Sequence, residues 1–315
     1  MDFSYSIVVP LFNESSSFQF LIERLTELMN STNQSIEVVL IDDGSSDDTS
    51  FLMAQQAMLD ERFQCVFLSR NFGHQIAISA GLAHANGKIG VMIIDGDLQD
   101  PPELINDFII KLNEGYEIVY AIRKKRKEHI GKRIAYKLFY RIQKQKANID
   151  IKLDSGDFCL MSRRVVDILN ELKEESRFVR GLRSWVGFKQ IGIEYERSER
   201  KLGKTKYSIG MLMRLAYNGI FNFSDLPVKY ITRLGIFSMV VAIIYLIITL
   251  ILKYFYHDVP SGFTGLLAVI VLFGGAQLVS IGIIGEYLIR IFFQVKNRPL
   301  YIVDKKIVDK KLIKL

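Results

Sequence analysis

The sequence predicts an α/β fold with a mostly parallel sheet, followed by two helices that cross a membrane. Strand-like and helix-like segments alternate through the first 120 residues, and such alternation is typical of a parallel sheet with right-handed connections. Further along, residues 234–252 and 259–285 form two runs without a charged side chain. About 20 apolar residues in a helix match the thickness of a bilayer. A buried helical hairpin is the alternative for these runs.

The first 121 residues supply the sheet and its covering helices. Short apolar runs rich in β-branched residues predict strands over residues 6–10, 36–41, 63–68, 89–94 and 116–121. Apolar residues at helical spacing predict helices over residues 15–29, 48–59, 75–85 and 101–112. Residues 157–200 predict mixed strand and helix. Because ligands of parallel sheets bind beyond the carboxyl ends of strands, the polar motifs that follow these strands predict a site.

Two carboxylates follow the fourth predicted strand. Asp95 and Asp97 are separated by one glycine, and a turn there would bring both into one crevice. Oxygen ligands of this kind suit Mg²⁺ or Mn²⁺, which would neutralise charge on a departing nucleotide diphosphate. A solvated turn before the helix at Pro101 is the alternative. The position at a strand end favours the metal site.

A second acidic pair, Asp42 and Asp43, ends the second predicted strand. Carboxylates at such a position accept hydrogen bonds from a ribose hydroxyl or a base N–H group. A turn with Ser46 or Asp47 capping the next helix explains the same residues, and the two roles are compatible. The sequence has no GxGxxG and no GxxxxGK[ST], which argues against a Rossmann dehydrogenase or a P-loop NTPase.

The distribution of charge predicts an orientation in the membrane. The chain carries a net charge of +7, and its basic residues after the second apolar run are Lys296, Arg298, Lys305, Lys306, Lys310, Lys311 and Lys314. The link between the two apolar runs carries a single Lys or Arg residue, Lys253. The positive-inside rule therefore places both termini in the cytoplasm. Two cysteines, Cys65 and Cys159, fit a reducing compartment, and the start of the chain lacks a signal-peptide pattern.

A basic segment follows the fifth predicted strand. Residues 123–127 read Arg-Lys-Lys-Arg-Lys, and Ile134, Leu138 and Ile142 mark one face of a helix after them. This pattern is typical of an amphipathic helix at a membrane interface. Nucleic acid or a merely solvated surface would also explain the charge. Beside two spans a lipid phosphate is the better partner, so we expect no nucleic acid. Residues 208–223 predict a second interfacial helix or an ordinary core helix.

Five motifs carry a family resemblance. In order they are residues 7–14 (IVVPLFNE), 41–47 (IDDGSSD), 68–73 (LSRNFG), 95–103 (DGDLQDPPE) and 156–161 (GDFCLM). Together they resemble the family 2 glycosyltransferases of GT-A fold, and most of all the branch of dolichol-phosphate mannose synthase and bacterial polyprenyl-phosphate (bactoprenol) glucosyltransferases. The resemblance continues through residues 177–185 (RFVRGLRSW), 200–207 (RKLGKTKY) and 282–290 (GIIGEYLIR), so it covers nearly the whole chain. The Gln-x-x-Arg-Trp motif of processive relatives is absent, which argues against a polymer-extruding synthase.

The resemblance implies a role for each matching residue. Nucleotide-sugar binding falls to Pro10, Phe12, Glu14, Asp42, Asp43, Arg70, Asp95, Arg200 and Lys206. Metal binding falls to Asp97 and Gln99, with Asp95 beside them. Acceptor-phosphate binding falls to Arg123, Arg126 and Arg133. Catalytic roles fall to Asp157 and Asp97. The histidines are dispersed and are expected to be structural: His74, His84, His129 and His257.

The implied division of the chain has four parts. They are a cytoplasmic GT-A catalytic domain (1–207, with a basic acceptor loop and amphipathic helix at 123–146), a membrane-interface segment (208–230), two transmembrane helices (231–293) and a basic cytoplasmic tail (294–315). We expect a multi-pass protein of the bacterial inner membrane that forms a homo-oligomer through its transmembrane helices.

The resemblance also implies the reaction. A hexose would pass from a nucleotide-diphosphate sugar to a polyprenyl (undecaprenyl) phosphate, with UDP-glucose favoured and GDP-mannose, UDP-N-acetylhexosamines and UDP-amino-arabinose derivatives open. A phosphate monoester has a second pKa of about 6, so the acceptor needs no strong base, and one displacement inverts the anomeric configuration. A lipid hydroxyl or saccharide acceptor would instead need Asp157 as a base. A non-catalytic membrane scaffold of the same fold is the other alternative.

Overall fold

The computed structural model describes residues 2–123, 155–175, 177–196, 226–256 and 262–314. Internal packing divides the chain into two compact units. The first, here called the sheet unit, comprises residues 1–144, 149–212 and 299–315. The second, the helical unit, comprises residues 145–148 and 213–298. Each is described by itself below.

The sheet unit begins with the predicted alternation of strands and helices. Its elements are β1 (Tyr5–Leu11), α1 (Ser15–Ser31), β2 (Ile36–Asp42), α2 (Thr49–Leu59), β3 (Phe63–Leu68), α3 (His74–His84), β4 (Gly90–Ile93), a 3₁₀ turn (Pro102–Leu104), α4 (Ile105–Asn113), β5 (Ile118–Arg123), β6 (Ser155–Ser162), α5 (Arg163–Glu171), α6 (Val179–Trp185) and β7 (Gln190–Tyr195). The strands and helices predicted over the first 121 residues are confirmed, with ends that differ by a few residues.

The strands form one sheet in the order β7-β5-β6-β4-β1-β2-β3-β8-β9. Strands β4, β1, β2 and β3 run parallel, while β6 is antiparallel to both of its neighbours. The chain moves outward from β1 through β2 to β3 and then returns to place β4 on the other side of β1. This reversal of strand order is a switch point, and α/β sheets bind ligands outside the carboxyl ends of strands at such a point.

Both faces of the central strands are buried. Every residue of β1 and β2 is buried, as expected for parallel strands covered by helices on both sides. Helix α1 covers one face with Phe18, Leu21 and Leu25. Helix α3 lies so close to β1 that a side chain at Gly81 would collide with Val8. This close approach fixes the start of α3 beside the carboxyl ends of the strands.

The last residues of the chain return to the sheet. They form β8 (Val303–Val308) and β9 (Lys311–Lys314), and β8 pairs with β3 in antiparallel orientation. Asp309 and Lys310 connect them with φ angles of 49° and 58°, the left-handed pair that a tight hairpin requires. Ile307 is 1% exposed. Much of the stretch expected as a basic tail is therefore part of the sheet unit, joined to it by the pairing of β8 with β3 and by the buried Ile307 side chain.

The helical unit contains two long helices, α7 (Leu226–Tyr256) and α8 (Phe263–Lys296). Among the described residues one stretch, Phe273–Lys296, is long and apolar enough to cross a membrane, judged by length and composition alone. Helix α7 contains a shorter apolar stretch, Tyr230–Tyr245. The two predicted spans are therefore not both confirmed. The predicted segments 124–146 and 208–225 lie outside the described residues.

Candidate active site

The carboxyl ends of β1 and β2 are joined by hydrogen bonds between their loops. The Asn13 amide donates to Ser45 Oγ at 3.0 Å, and Asn13 Oδ1 accepts from the Ser46 amide at 2.8 Å. The Glu14 amide donates to Thr49 Oγ1 at 2.9 Å. These bonds fix the loop after β1, which presents the half-exposed Phe12. The predicted nucleotide residues Pro10, Phe12 and Glu14 thus lie at the same edge as Asp42 and Asp43.

Asp42 and Asp43 are both buried, and their carboxylates have partners. Asp42 accepts from the Ser45 amide at 3.0 Å and from the Ser50 hydroxyl. Asp43 accepts from the amides of Phe72 and Gly73, at 2.8 and 3.0 Å. Burial raises the pKa of Asp43, while the two amides act in the opposite direction. Both carboxylates therefore hold the loops around them, and any contact with a nucleotide would come in addition to that role.

The loop after β3 packs directly on the loop after β2. Gly44 has φ +69°, and a Cβ there would come within 2.5 Å of the Arg70 carbonyl carbon, so only glycine allows this approach. Arg70 stacks its guanidinium on the Phe72 ring at 4.1 Å. The contact brings Arg70, a predicted nucleotide residue, to the edge that carries Asp43.

The loop after β4 holds the predicted metal ligands. Asp97 Oδ1 accepts from the Gln99 amide at 3.1 Å, and Leu98 between them has φ +58°. A left-handed conformation is costly for leucine and is found most often at functional sites. Arg24 donates to the Leu98 carbonyl at 3.4 Å and pairs with Glu103 through two hydrogen bonds. Hydrogen bonds within the turn and from Arg24 therefore fix the turn that carries Asp97 and Gln99.

His74 lies between two of the predicted carboxylates. It is the first residue of α3, and its Nε2 lies 3.5 Å from Asp95 Oδ1 and 3.7 Å from Asp157 Oδ2. Burial lowers the pKa of His74, but a hydrogen bond to Asp157 and the charges of Asp95, Asp157 and Asp43 outweigh it and raise the pKa to about 9. At neutral pH the imidazole is therefore a cation among carboxylates.

Two further side chains hold Asp157, and a third holds the residue before it. Gln75 Nε2 donates to Asp157 Oδ2 at 3.0 Å, and Arg180 lies 3.5 Å from the same oxygen. Arg183 donates to the carbonyl of Gly156, just before it, at 3.3 Å. Burial raises the pKa of Asp157, but Arg180 and His74 outweigh burial and hold the pKa far below its ordinary value. Asp157 is therefore ionised throughout the physiological pH range.

The pKa of Asp95 is shifted in the opposite direction. Burial, with the charges of Asp100, Asp157 and Asp97, raises the pKa of Asp95 to about 6, although His74 acts against the rise. Neighbouring carboxyl groups with pKa values pushed apart are a feature of active sites. The pair Asp95 and Asp157 therefore marks this crevice as the candidate active site.

Of the predicted acceptor-phosphate arginines, Arg123 is described. It ends β5, and its Nε donates to the Tyr195 hydroxyl at 3.3 Å. The other predicted basic residues lie outside the described residues: Arg126, Arg133, Arg200 and Lys206.

Four residues near Asp157 were missed as site residues by the sequence analysis: His74, Gln75, Arg180 and Arg183. His74 and Gln75 immediately follow the motif at 68–73, at the carboxyl end of β3. Their position after a strand end, like that of Asp43 and Asp95, was a signal for a site, whereas the dispersal of histidines along the sequence was not. Arg180 and Arg183 lie in the resembling segment 177–185, but the resemblance gave them no role, and only the fold brings α6 to Asp157.

The residues around Asp97 fit a magnesium or manganese ion. Within the described ranges, no group of three or more His, Cys, Asp or Glu residues converges into a metal site. The predicted donors are two carboxylates and an amide oxygen, and Mg²⁺ is usually bound by one or two carboxylates together with substrate phosphates. Burial, and after it the charges of Asp100, Asp157 and Asp97, raise the pKa of Asp95, and a bound cation would favour its ionised form. The donor set therefore suits an ion that arrives with a diphosphate.

Comparisons with known proteins bear on the whole chain. Residues 6–169 match the family described as glycosyl transferase family 2. An uncharacterized glycosyltransferase of Bacillus subtilis (strain 168), YkcC, is 45% identical over 302 residues, which cover 96% of this chain and 93% of that protein. The bactoprenol glucosyl transferase of Shigella phage SfII is 37% identical over 301 residues, 95% of this chain and 97% of its own.

A comparison with solved structures found distant matches. Glucosyl-3-phosphoglycerate synthase from Mycobacterium tuberculosis, in a complex with Mn²⁺, uridine diphosphate and phosphoglyceric acid, has 19% sequence identity and a TM-score of 0.47. The match covers 71% of this chain and 80% of that chain.

Proposed function

Because this chain belongs to glycosyl transferase family 2, as the motifs predicted, we propose that it transfers a hexose from a nucleotide-diphosphate sugar to a polyprenyl phosphate. Family membership identifies it as a glycosyltransferase, so the scaffold alternative is abandoned. Relatives named bactoprenol glucosyl transferases, 36–37% identical over at least 95% of the chain, support the lipid acceptor. The same names favour glucose as the sugar.

The environment of Asp157 is the observation that carries the choice of acceptor. A general base works best with a pKa near the working pH, and the pKa of Asp157 is held far lower by Arg180 and His74. Asp157 is therefore a poor base for a lipid or sugar hydroxyl. A phosphate monoester, with a second pKa of about 6, is already an anion and needs no base. The site fits a phosphate acceptor better than a hydroxyl acceptor.

Because a phosphate acceptor needs no base, the side chains of the site act by positioning the substrates and stabilising charge. Asp157 orients the acceptor or stabilises positive charge that develops on the sugar ring. His74 and Arg180 keep that carboxylate ionised and fixed. The incoming phosphate oxygen displaces the diphosphate in one step, so the anomeric configuration inverts.

The donor side is assigned to the loops after β1, β2, β3 and β4. Phe12 and Arg70 would contact the nucleotide, and Asp95 would face the sugar or ribose. Asp97, Gln99 and Asp95 would hold Mg²⁺ or Mn²⁺, which would neutralise charge on the departing diphosphate. The assignments of Arg200 and Lys206 to the donor diphosphate stay predictions.

The acceptor side is assigned to basic side chains. Arg123 ends β5 beside Gly156, and a guanidinium forms strong paired hydrogen bonds with phosphate oxygens. Arg126 and Arg133 are predicted to join it.

The sheet supports an even number of membrane crossings. Strands β3 and β8 pair with each other, although the whole helical unit lies between them in sequence. The chain before α7 and the chain after α8 therefore lie on one side of any bilayer. If Phe273–Lys296 crosses, a second crossing must accompany it, and α7 is the described helix that offers one. By the positive-inside rule, the basic residues after α8 support a cytoplasmic location for the sheet unit; assembly through these helices stays a prediction.

The proposal is tested with matched acceptors. The protein is incubated with Mg²⁺, a panel of nucleotide sugars and either undecaprenyl phosphate or undecaprenol, which lacks the phosphate. We expect transfer to undecaprenyl phosphate, fastest from UDP-glucose, and none to undecaprenol. Comparable transfer to undecaprenol would overturn the acceptor assignment. A faster reaction with another nucleotide sugar would overturn only the choice of glucose.

A further inference from the structure

The Tyr195 hydroxyl connects two parts of the site that lie on different loops. Strands β5 and β7 are parallel, and Arg123 pairs with Tyr195 at their carboxyl ends. The hydroxyl accepts from Arg123 Nε at 3.3 Å and donates to an oxygen of Asp100. Asp100 is 1% exposed and directly follows Gln99. One hydroxyl therefore joins the end of the predicted metal loop to the acceptor-side arginine.

The guanidinium of Arg123 lies next to the reacting centre. Its terminal Nη2 lies 3.4 Å from the point where a Cβ on Gly156 would stand, and Gly156 precedes Asp157. Tyr195 engages the Nε–H at the side of the guanidinium group, while Nη2 lies on the side of Gly156. An arginine has many rotamers, and holding one nitrogen selects the few that aim the others at a phosphate.

The Tyr195 ring has a separate, purely structural role. Tyr195 is 6% exposed, and its ring packs edge-on against Phe158 with centroids 5.6 Å apart. Phe158 in turn packs against Phe108 at 5.3 Å. A phenylalanine at position 195 retains these contacts and loses only the two hydrogen bonds of the hydroxyl. The role of the hydroxyl is therefore separable from the packing of the ring.

We propose that Tyr195 is a positioning residue for the acceptor: its hydroxyl, anchored on Asp100, orients Arg123 toward the lipid phosphate. The inference rests on the proposed function, in which Arg123 binds that phosphate. Since Asp100 follows the predicted metal ligand Gln99, the same anchor sets the acceptor arginine at a fixed place relative to the donor loop.

The first test is Tyr195→Phe, assayed with UDP-glucose and undecaprenyl phosphate. The KM for undecaprenyl phosphate is expected to rise about tenfold, since a hydrogen bond to a charged group is lost, while the KM for UDP-glucose changes less than twofold. Tyr5→Phe is the control, because Tyr5 is 2% exposed at the amino end of β1. It should change neither KM. An unchanged acceptor KM in Tyr195→Phe overturns the inference.

A double-mutant cycle separates positioning from a general structural effect. Arg123→Lys retains the charge but has no guanidinium Nε–H, so Tyr195→Phe should add less than a twofold increase in acceptor KM in that background. A full tenfold increase on top of Arg123→Lys would show that Tyr195 acts independently of Arg123 and would refute the inference. Absence of lipid-phosphate transfer by the unsubstituted protein would instead refute the proposed function.

The folding of the variants is checked in the same series of experiments. Tyr195→Phe removes a partner from the buried Asp100 carboxylate, so its thermal unfolding is measured first. If the variant does not fold, Tyr195→Phe is combined with Asp100→Asn, which removes the buried charge. The combined variant still lacks the hydroxyl and should still show the raised acceptor KM relative to Asp100→Asn alone. Equal KM values in those two proteins would contradict the proposal.

Discussion

At Asp157, burial and neighbouring charge act in opposite directions. Burial favours the neutral acid, while Arg180 and His74 favour the carboxylate, and the pKa falls. Asp95 shows the reverse balance, since neighbouring acids add to burial and the pKa rises to about 6. The pKa of Asp157 is thus set by residues distant in sequence, and that of Asp95 by the nearby Asp97 and Asp100 together with the distant Asp157. This explains why sequence analysis located both groups but could not decide whether Asp157 is a base.

Gln75 provides a first prediction at this scale. Its amide donates to Asp157 and accepts from the Val179 amide at 2.9 Å, so it joins the carboxylate to the start of α6. Gln75→Met retains the length and loses both bonds. We expect kcat to fall about tenfold, from one charged hydrogen bond, with the UDP-glucose KM little changed. Gln55→Met on the exposed face of α2 is the control. Equal kcat values in the two variants would exclude the role.

Asp97 provides a second prediction. Asp97→Asn should abolish transfer, because a neutral amide is a much weaker ligand for Mg²⁺ or Mn²⁺. Its thermal unfolding without metal should match that of the unsubstituted protein. EDTA should stop the unsubstituted enzyme, and added Mg²⁺ or Mn²⁺ should restore it. Full activity in EDTA would contradict the metal assignment.

At the scale of elements, the local pattern of apolar residues was sufficient to predict the central strands and helices. Their apolar runs and helical spacing are continuous, and the polar residues at their ends, Asp43 and Asp95 among them, lie at the candidate site. The approach of α6 to Asp157 could not be predicted, since it depends on how separate elements pack. The hairpin of β8 and β9 was obscured because charged runs interrupt its few apolar residues, so neither strand shows a period of two.

The third prediction concerns β8. Ile307 is 1% exposed and pairs with Cys65 of β3, so Ile307→Ala should lower the free energy of unfolding by about 2–5 kcal/mol. Ile313→Ala on β9, where the side chain is 38% exposed, is the matched control and should cost much less. Thermal and denaturant unfolding measure both. Equal effects would mean that β8 is not part of the folded sheet.

At the scale of the whole molecule, the pairing of β3 with β8 restricts membrane topology. A reporter fused after Leu315 should be read on the cytoplasmic side, and a tag inserted near Ser261 should be read outside. Both results are expected if the chain crosses the membrane twice between β3 and β8, which pair in the same sheet. A cytoplasmic signal near residue 261 would contradict two crossings, whichever helix is involved.

In the proposed reaction the acceptor arrives already ionised, so Asp157 acts as a fixed charge and not as a base. The decisive experiment compares the pH–rate profile of Asp157→Asn with that of the unsubstituted enzyme, at saturating undecaprenyl phosphate. The depressed pKa keeps Asp157 ionised at every pH above its ordinary value of 3.8, so it contributes no step to the profile above about pH 5.

We predict that Asp157→Asn lowers the rate but leaves the acid limb in place, since that limb follows groups other than Asp157. The alkaline limb should move to lower pH, because His74 loses one of the charges that raise its pKa. If the variant instead loses an acid-limb ionisation that the unsubstituted enzyme shows, Asp157 is a general base. The phosphate acceptor would then give way to a hydroxyl acceptor.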